Sequence, residues 1–232
     1  MKSAQSAVKK MVSFDKNDKY EILRAEMVRF HLKGRDITDP AVLDAFRRIR
    51  RELFVPAKYA EDAYGDFPIP IGIGQTISQP YIVALMTQCL RLNDQCTVLE
   101  LGTGSGYQAA ILAMLAKKVY TIERHPRLSE GAQAVIGSLG IENVEFYIGD
   151  GSKGWPDDME FDRIIVTAAM PEIPSTLTRQ LKNNGILVGP VGGPLYQDLV
   201  VIEKINGTLY SKNVCSCRFV KLIGKYGFDE TA

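Results

Sequence analysis

Between residues 97 and 191, short apolar runs alternate with longer runs of helical spacing, and this alternation restricts the fold more than any other feature. TVLELG (97–102), VYTIE (119–123), VEFYIGD (144–150), RIIVTAA (163–169) and GILVGPV (185–191) read as strands. QAAILAML, the stretch from Pro126 to Leu139 closed by Gly140, and a short piece near residues 175–182 read as helices between them. Strands joined through single helices need right-handed crossovers, so the expected fold is α/β, a doubly wound and mostly parallel sheet. Near the end, DLVVIEKI and TLYSKNV flank Asn206-Gly207, a two-residue hairpin signal, so an antiparallel edge completes an expected seven-stranded sheet.

Ahead of this core the pattern is helical. From Asp15 to Lys33, Tyr20, Leu23, Met27 and Phe30 recur at spacings of three and four, an expected helix face that stops near Gly34. A second helix is expected from Thr38-Asp39-Pro40, a capping side chain followed by a first-turn proline, through AVLDAFRRIRREL. Its Arg47, Arg48, Arg50 and Arg51 read as a solvated face beside Asp44 and Glu52 rather than as a phosphate patch. The chain of 232 residues is expected to form one domain: a flexible tail over 1–14, helices and a ligand-covering segment over 15–90, and the α/β core over 91–232.

Composition removes several partners. Lys plus Arg (28) nearly balances Asp plus Glu (27), so net charge gives no reason to expect nucleic acid. No apolar run approaches the ~20 residues that span a bilayer and the N-terminus lacks the apolar stretch of a secretory signal, so no membrane partner and a cytoplasmic location are expected. Cys89, Cys96, Cys215 and Cys217 include no CxxC pair and lie near few histidines, so they read as free thiols and no metal site is expected.

VLELGTGSGY (98–107) carries the chemistry. Gly102, Gly104 and Gly106 end the first strand of the core and lead directly into a helix, which lets the backbone approach a ligand and brings a helix N-terminus beside it. The spacing is GxGxG rather than the GxGxxG of dinucleotide sites, with Tyr107 where the third glycine would fall. Glu123 ends the next strand, where a carboxylate can accept from ribose hydroxyls, and Asp150 ends the third, where one can accept the amino group of adenine. Three such features at successive strand ends point to an adenosine ligand.

Taken together, VLELGTGSG, the acid of TIERH, the acid of IGDG and LKNNGILVGPVG resemble the motifs of Rossmann-like S-adenosylmethionine-dependent methyltransferases. RRELFVP and PIPIGIGQTISQPYIVALM upstream, with FDRIIVTAAMPEIP and RFVKLIGKYG downstream, are similar to the protein-L-isoaspartate O-methyltransferase family, so the resemblance spans about residues 20–228. Many members read RFVPL where this chain has Lys221, and carry a histidine where it has Tyr81 and Val83.

The resemblance implies transfer of methyl from S-adenosyl-L-methionine to the α-carboxylate of L-isoaspartyl residues in damaged proteins and peptides, starting repair through a succinimide, by a monomeric enzyme. It implies cofactor contacts from Thr76, Ile77, Ser78, Gly102, Thr103, Gly104, Glu123, Arg124, Asp150 and Gly151, with Ile77 and Val220 against the substrate and Ser78 catalytic. Residues 66–83 hold too much Pro and Gly for a regular strand and are too apolar for a linker, which fits an ordered lid. Ser78 either caps the helix beginning at Pro80 or aims the substrate carboxylate, with the helix N–H groups facing the same pocket. A nucleic-acid amino-methylating enzyme would show an Asn/Asp-Pro-Pro-aromatic run where Thr167-Ala168-Ala169-Met170-Pro171 stands, and a C5-pyrimidine enzyme needs a cysteine in the pocket. A binding module that kept the fold without catalysis would leave QTIS without a purpose.

Overall fold

The computed structural model describes residues 19–230, so the expected tail over 1–14 lies outside the described residues. The first helix, α1 (Lys19–Glu26), runs on as a π-helical segment (Met27–Lys33), and α2 (Pro40–Arg48) and two 3-10 turns (Arg51–Phe54, Ala57–Asp62) follow. A two-stranded hairpin, β1 (Ile69–Gly72) and β2 (Gln75–Ile77), precedes α3 (Pro80–Cys89). Then come β3 (Thr97–Leu101), α4 (Tyr107–Leu115), β4 (Lys118–Glu123), α5 (Pro126–Ser138), β5 (Val144–Ile148), β6 (Phe161–Val166), α6 (Ser175–Gln180), β7 (Leu181–Gly192), β8 (Gln197–Ile205) and β9 (Thr208–Cys217).

The large sheet has seven strands in the order β5-β4-β3-β6-β7-β8-β9. β3 through β7 pair in parallel and β8 and β9 antiparallel, as the alternation and the Asn206-Gly207 signal imply. Asn206 (φ 49°) and Gly207 (φ 79°) both take the left-handed conformation that a tight hairpin turn demands. β3 continues to β4 on one side and pairs with β6 on the other, so the strand order reverses there and a crevice opens beyond the carboxyl ends of β3 and β6. The helices on one face share a core with the N-terminal helices, through residues such as Leu32, Phe46, Leu90 and Ile111; Leu99, Phe161, Leu177 and Leu187 form a second cluster.

Three local expectations change on packing. Along the first helix Arg24, Met27, Val28 and Leu32 are buried while Phe30 is 55% exposed, because the wider π turn rotates the inward face away from a strict 3.6-residue period. The second helix stops at Arg48, and Arg51 is not on a solvated face: it is wholly buried in the turn that follows. Of the others, Arg48 pairs with Asp44 at 2.8 Å near the surface, whereas Arg50 lies past the helix and pairs at 2.8 Å with Glu52, which is buried rather than solvated. Finally, residues 69–77 do form a short hairpin, though an irregular one: Pro70 pairs with Thr76 inside β1, the register shifts between Pro70 and Gly72, and Ile73 (φ 53°) and Gly74 (φ 68°) close the turn.

Asp39 is the N-cap of α2, its Oδ1 accepting from Ala41 N at 2.8 Å and Val42 N at 3.4 Å, with Pro40 in the first turn. Removing such a cap costs about 1 kcal/mol. Asp39→Ala is therefore expected to lower urea-unfolding stability by about that amount, and Asp39→Ser or Asp39→Asn to recover most of it.

Candidate active site

The three glycines of the loop after β3 all take positive φ: Gly102 95°, Gly104 53° and Gly106 88°. An added methyl at Gly102 would strike the Thr167 hydroxyl, and one at Gly106 would lie 2.9 Å from Ala132 of α5. The loop thus needs glycine both for conformation and for close approach of its neighbours. Thr167, just past β6, stitches the loop from the other side, donating its hydroxyl to the carbonyls of Leu101 (2.9 Å) and Gly102 (2.7 Å).

Glu123 is 5% exposed and lies under this loop. Its Oε2 accepts from Gly104 N at 2.9 Å and its Oε1 from His125 N at 2.9 Å, so one carboxylate holds the loop and begins α5. A carboxylate offers about four lone-pair positions, and two remain for a ligand. Arg124 beside it pairs with Glu230 at 2.7 Å.

A cleft lies over this loop, with glycines and buried polar groups converging on it. Gly102, Thr103, Gly104, Glu123 and Arg124 line its floor, Gly149 and Gly151 one end, Gln75 through Ser78 one wall and Phe219 through Ile223 the other. All the residues the sequence singled out for the cofactor except Asp150 therefore meet in one cavity. The C-terminal segment reaches it because Val220 O accepts from Ala169 N (2.7 Å) and Leu222 N donates to Ala169 O (2.8 Å), extending the sheet beyond β6.

Asp150 departs from expectation. Its Oδ1 accepts from Ser152 N and Oγ at 3.0 and 2.6 Å and its Oδ2 from Lys225 N at 2.8 Å, so the carboxylate ties down the C-terminal segment while its glycine neighbours line the cleft. Burial alone would raise its pKa, but these hydrogen bonds outweigh that and hold it below the ordinary carboxylate value. Thr103 also differs, being 3% exposed: its hydroxyl meets Thr121 Oγ1 at 2.6 Å beneath the loop, and Thr121 donates to Glu100 Oε2 at 2.6 Å.

Ser78 does not cap α3. The N-cap residue is Gln79 with no side-chain capping bond, and it is Asp66 that accepts from Tyr81 N at 3.0 Å. That helix N-terminus is thus already partnered by a carboxylate of the chain itself, braced by Arg35 at 3.3 Å. Among the described residues the Ser78 hydroxyl has no partner, while its carbonyl accepts from Arg51 Nη2 at 2.8 Å.

A wide groove adjoins the cleft, and Thr76, Ser78, Thr167, Phe219, Val220 and Lys221 line both. Motif reading did not single out Thr167 or Phe219, which line both cavities; the FDRIIVTAAMPEIP and RFVK runs held them, without a periodicity to say which side chain turns inward. Cys215 and Cys217 line the groove as half-buried free thiols, and burial raises both, Cys217 to about 12, so neither is a ready thiolate nucleophile.

Residues 23–227 match the model of the protein-L-isoaspartate(D-aspartate) O-methyltransferase family. The chain belongs to that family. It is 52% identical over 206 residues to a protein-L-isoaspartate O-methyltransferase of Methanoregula boonei, covering 89% of this chain and 95% of that one. It is 51% identical over 212 residues to a protein of the same description from Dictyoglomus turgidum, covering 91% and 96%. A solved protein-L-isoaspartate O-methyltransferase superposes with a TM-score of 0.78 at 30% identity, over 88% of this chain and 67% of the other. A Plasmodium falciparum structure described as a member of the same class, in complex with S-adenosyl-L-homocysteine, gives 0.75 at 26% identity, over 88% and 98%. The family's cofactor, S-adenosyl-L-methionine, fits what this chain offers: a glycine cradle that side chains would fill, over a buried acid with acceptor positions to spare.

Glu100, wholly buried under the loop, has one oxygen bonded to Thr121 and the other without a partner. Burial pushes its pKa up to about 8, against the Thr121 hydrogen bond and with help from Glu123. The folded value lies above the unfolded one of about 4.3, so folding holds a proton there that the unfolded chain has lost. The stabilisation is complete below pH ~4 and is lost as pH rises through the folded value near 8. Melting temperatures of wild type and Glu100→Gln compared between about pH 5 and about pH 8.5 should show a steeper decline in the wild type.

Proposed function

We infer that this chain methylates the α-carboxylate of L-isoaspartyl residues, with Ser78 aiming that carboxylate and Glu123 holding the cofactor ribose. The reaction class rests on family membership: it is an S-adenosyl-L-methionine-dependent protein-L-isoaspartate O-methyltransferase. The observation that carries the residue roles is the wall shared by the two cavities, where a methyl donor in the cleft would face a protein chain lying in the groove.

When bound, S-adenosyl-L-methionine supplies an electrophilic methyl group on a positively charged sulfur. The nucleophile is a carboxylate already ionised at neutral pH, so the chain needs no strong base. Its task is orientation, which alone can supply much of the acceleration when reacting atoms are held in line. The Ser78 hydroxyl, without a partner among the described residues, donates to one carboxylate oxygen and leaves the other free to attack. Thr76 and Ile77 close over the cofactor, Ile77 with its side chain 4% exposed and fixed in the core. Val220 lies across the opening from Ser78 and bounds the space left for the isoaspartyl side. Gly102 and Gly104 let the loop backbone approach the cofactor, and Glu123 accepts from the ribose hydroxyls. Asp150 supports the adenine end by holding Gly149, Gly151 and residues 224–226 in place. The methyl ester made on the substrate then closes to a succinimide by attack of the neighbouring amide nitrogen with loss of methanol, and hydrolysis returns part of it as normal aspartate.

Incubated with methyl-labelled cofactor and two peptides differing only in isoaspartate or aspartate at one position, the protein is expected to form base-labile ester on the isoaspartyl peptide alone. Label on both or on neither would overturn the substrate assignment. Ser78→Ala should lower kcat about 10- to 100-fold with cofactor affinity nearly unchanged. Glu123→Ala should weaken cofactor binding about 10- to 100-fold by calorimetry, since charge-assisted hydrogen bonds contribute ~1.5–3 kcal/mol each.

A further inference from the structure

Arg51 is wholly buried, and among the described residues no carboxylate bonds it. Burying a guanidinium is costly unless fixed hydrogen bonds replace its water. Here Nε donates to Ala63 O at 2.7 Å, Nη2 donates to Ser78 O at 2.8 Å, and Cζ lies over the Tyr107 ring, 4.7 Å from its centroid. Nη1 is buried without a partner. Tyr107, 1% exposed, is the first residue of α4 after Gly106 and is itself held by Phe46 and Phe54, at 5.9 and 5.4 Å between ring centroids. One planar cation therefore joins the segment bearing Ser78 to the loop that cradles the cofactor.

We propose that Arg51 is a positioning residue for methyl transfer, pinning the Ser78 main chain so that the Ser78 hydroxyl is directed to the opening between cofactor cleft and substrate groove. This rests on the reading of Ser78 given above. The geometry leaves the side chain little choice. Ile77 on one side is anchored in the core, Pro80 two residues on is fixed in the first turn of α3, and the Ser78 carbonyl is held by Arg51. What remains free is one side-chain torsion, and its hydroxyl has no competing partner within the described residues. Arginine suits the task because its rigid fork reaches two carbonyls while its charge sits over an aromatic ring; lysine, a point charge on a flexible stem, cannot do all three.

The test is a cycle of Arg51→Lys, Arg51→Met and Ser78→Ala, alone and combined, reading kcat and KM on an isoaspartyl peptide and cofactor Kd by calorimetry. Arg51→Lys is expected to lower kcat about 10- to 100-fold, because small misplacements of aligned groups cost that much, with cofactor Kd within about twofold. In the Ser78→Ala background it should add less than about a twofold further loss, since both changes remove the same alignment. A loss of equal size in both backgrounds, a parallel fall in cofactor affinity, or full turnover by Arg51→Lys would overturn the proposal. Ser78→Ala at wild-type rate would overturn the reading of Ser78 itself, whereas a slow Ser78→Ala with an additive double variant would overturn only the role of Arg51. Should Arg51→Met not fold, Arg51→Lys carries the cycle, because it keeps the buried charge.

Discussion

The site depends first on one buried carboxylate. A loop with three left-handed glycines has no repeating hydrogen-bond pattern of its own, and without an anchor it would sample many conformations. Glu123 supplies the anchor, accepting Gly104 N–H from the loop and His125 N–H at the start of α5. Its position at the end of β4 follows from the register that sets Leu101 opposite Ile122. Thr167 does the equivalent work from β6, so the loop is held by both strands that flank β3. The chemistry of the cleft is therefore a consequence of where the strand order reverses.

On that floor the chain builds two walls from segments far apart in sequence. The hairpin over residues 69–77 comes from before the sheet, and residues 219–223 come from after its last strand. Each wall is secured by a few long-range polar ties: Asp66 to Tyr81 and Arg51 to Ser78 on the first, Val220 and Leu222 to Ala169 and Gln197 to Phe219 on the second. The cleft and the adjoining groove meet between them. That arrangement suits a reaction in which a small diffusible donor must be shielded while the acceptor is part of a large protein.

How much of this was legible in the chain can be judged residue by residue. Strand and helix order from β3 to β9 follows from apolar periodicity and turn chemistry, which are local and therefore visible in one dimension. Gly102, Gly104 and Glu123 were legible as well, because a strand end, a glycine run and an acid at the next strand end form a pattern tied to backbone geometry. Arg51 was not. In sequence it stands in a run of arginines of which Arg48 pairs near the surface, and only the end of α2 at Arg48 turns it inward. Asp150 was legible as a strand-end acid beside the cleft but not as a tie to the C-terminal segment, since Lys225 N–H arrives from seventy-five positions later.

The sequence by itself determined the doubly wound sheet, the glycine cradle and the family of reactions the chain belongs to, because each is written in short-range pattern or in motif. Tertiary structure alone decided which side chains of those motifs are free in the cleft and which hold their neighbours: Thr103 turned under the loop, Asp150 turned to the C-terminal segment, Ser78 left without a capping role and Arg51 drawn into the core. The reason is physical. A buried polar group must find a partner, and for these residues the partners are supplied by segments that only the folded chain brings together.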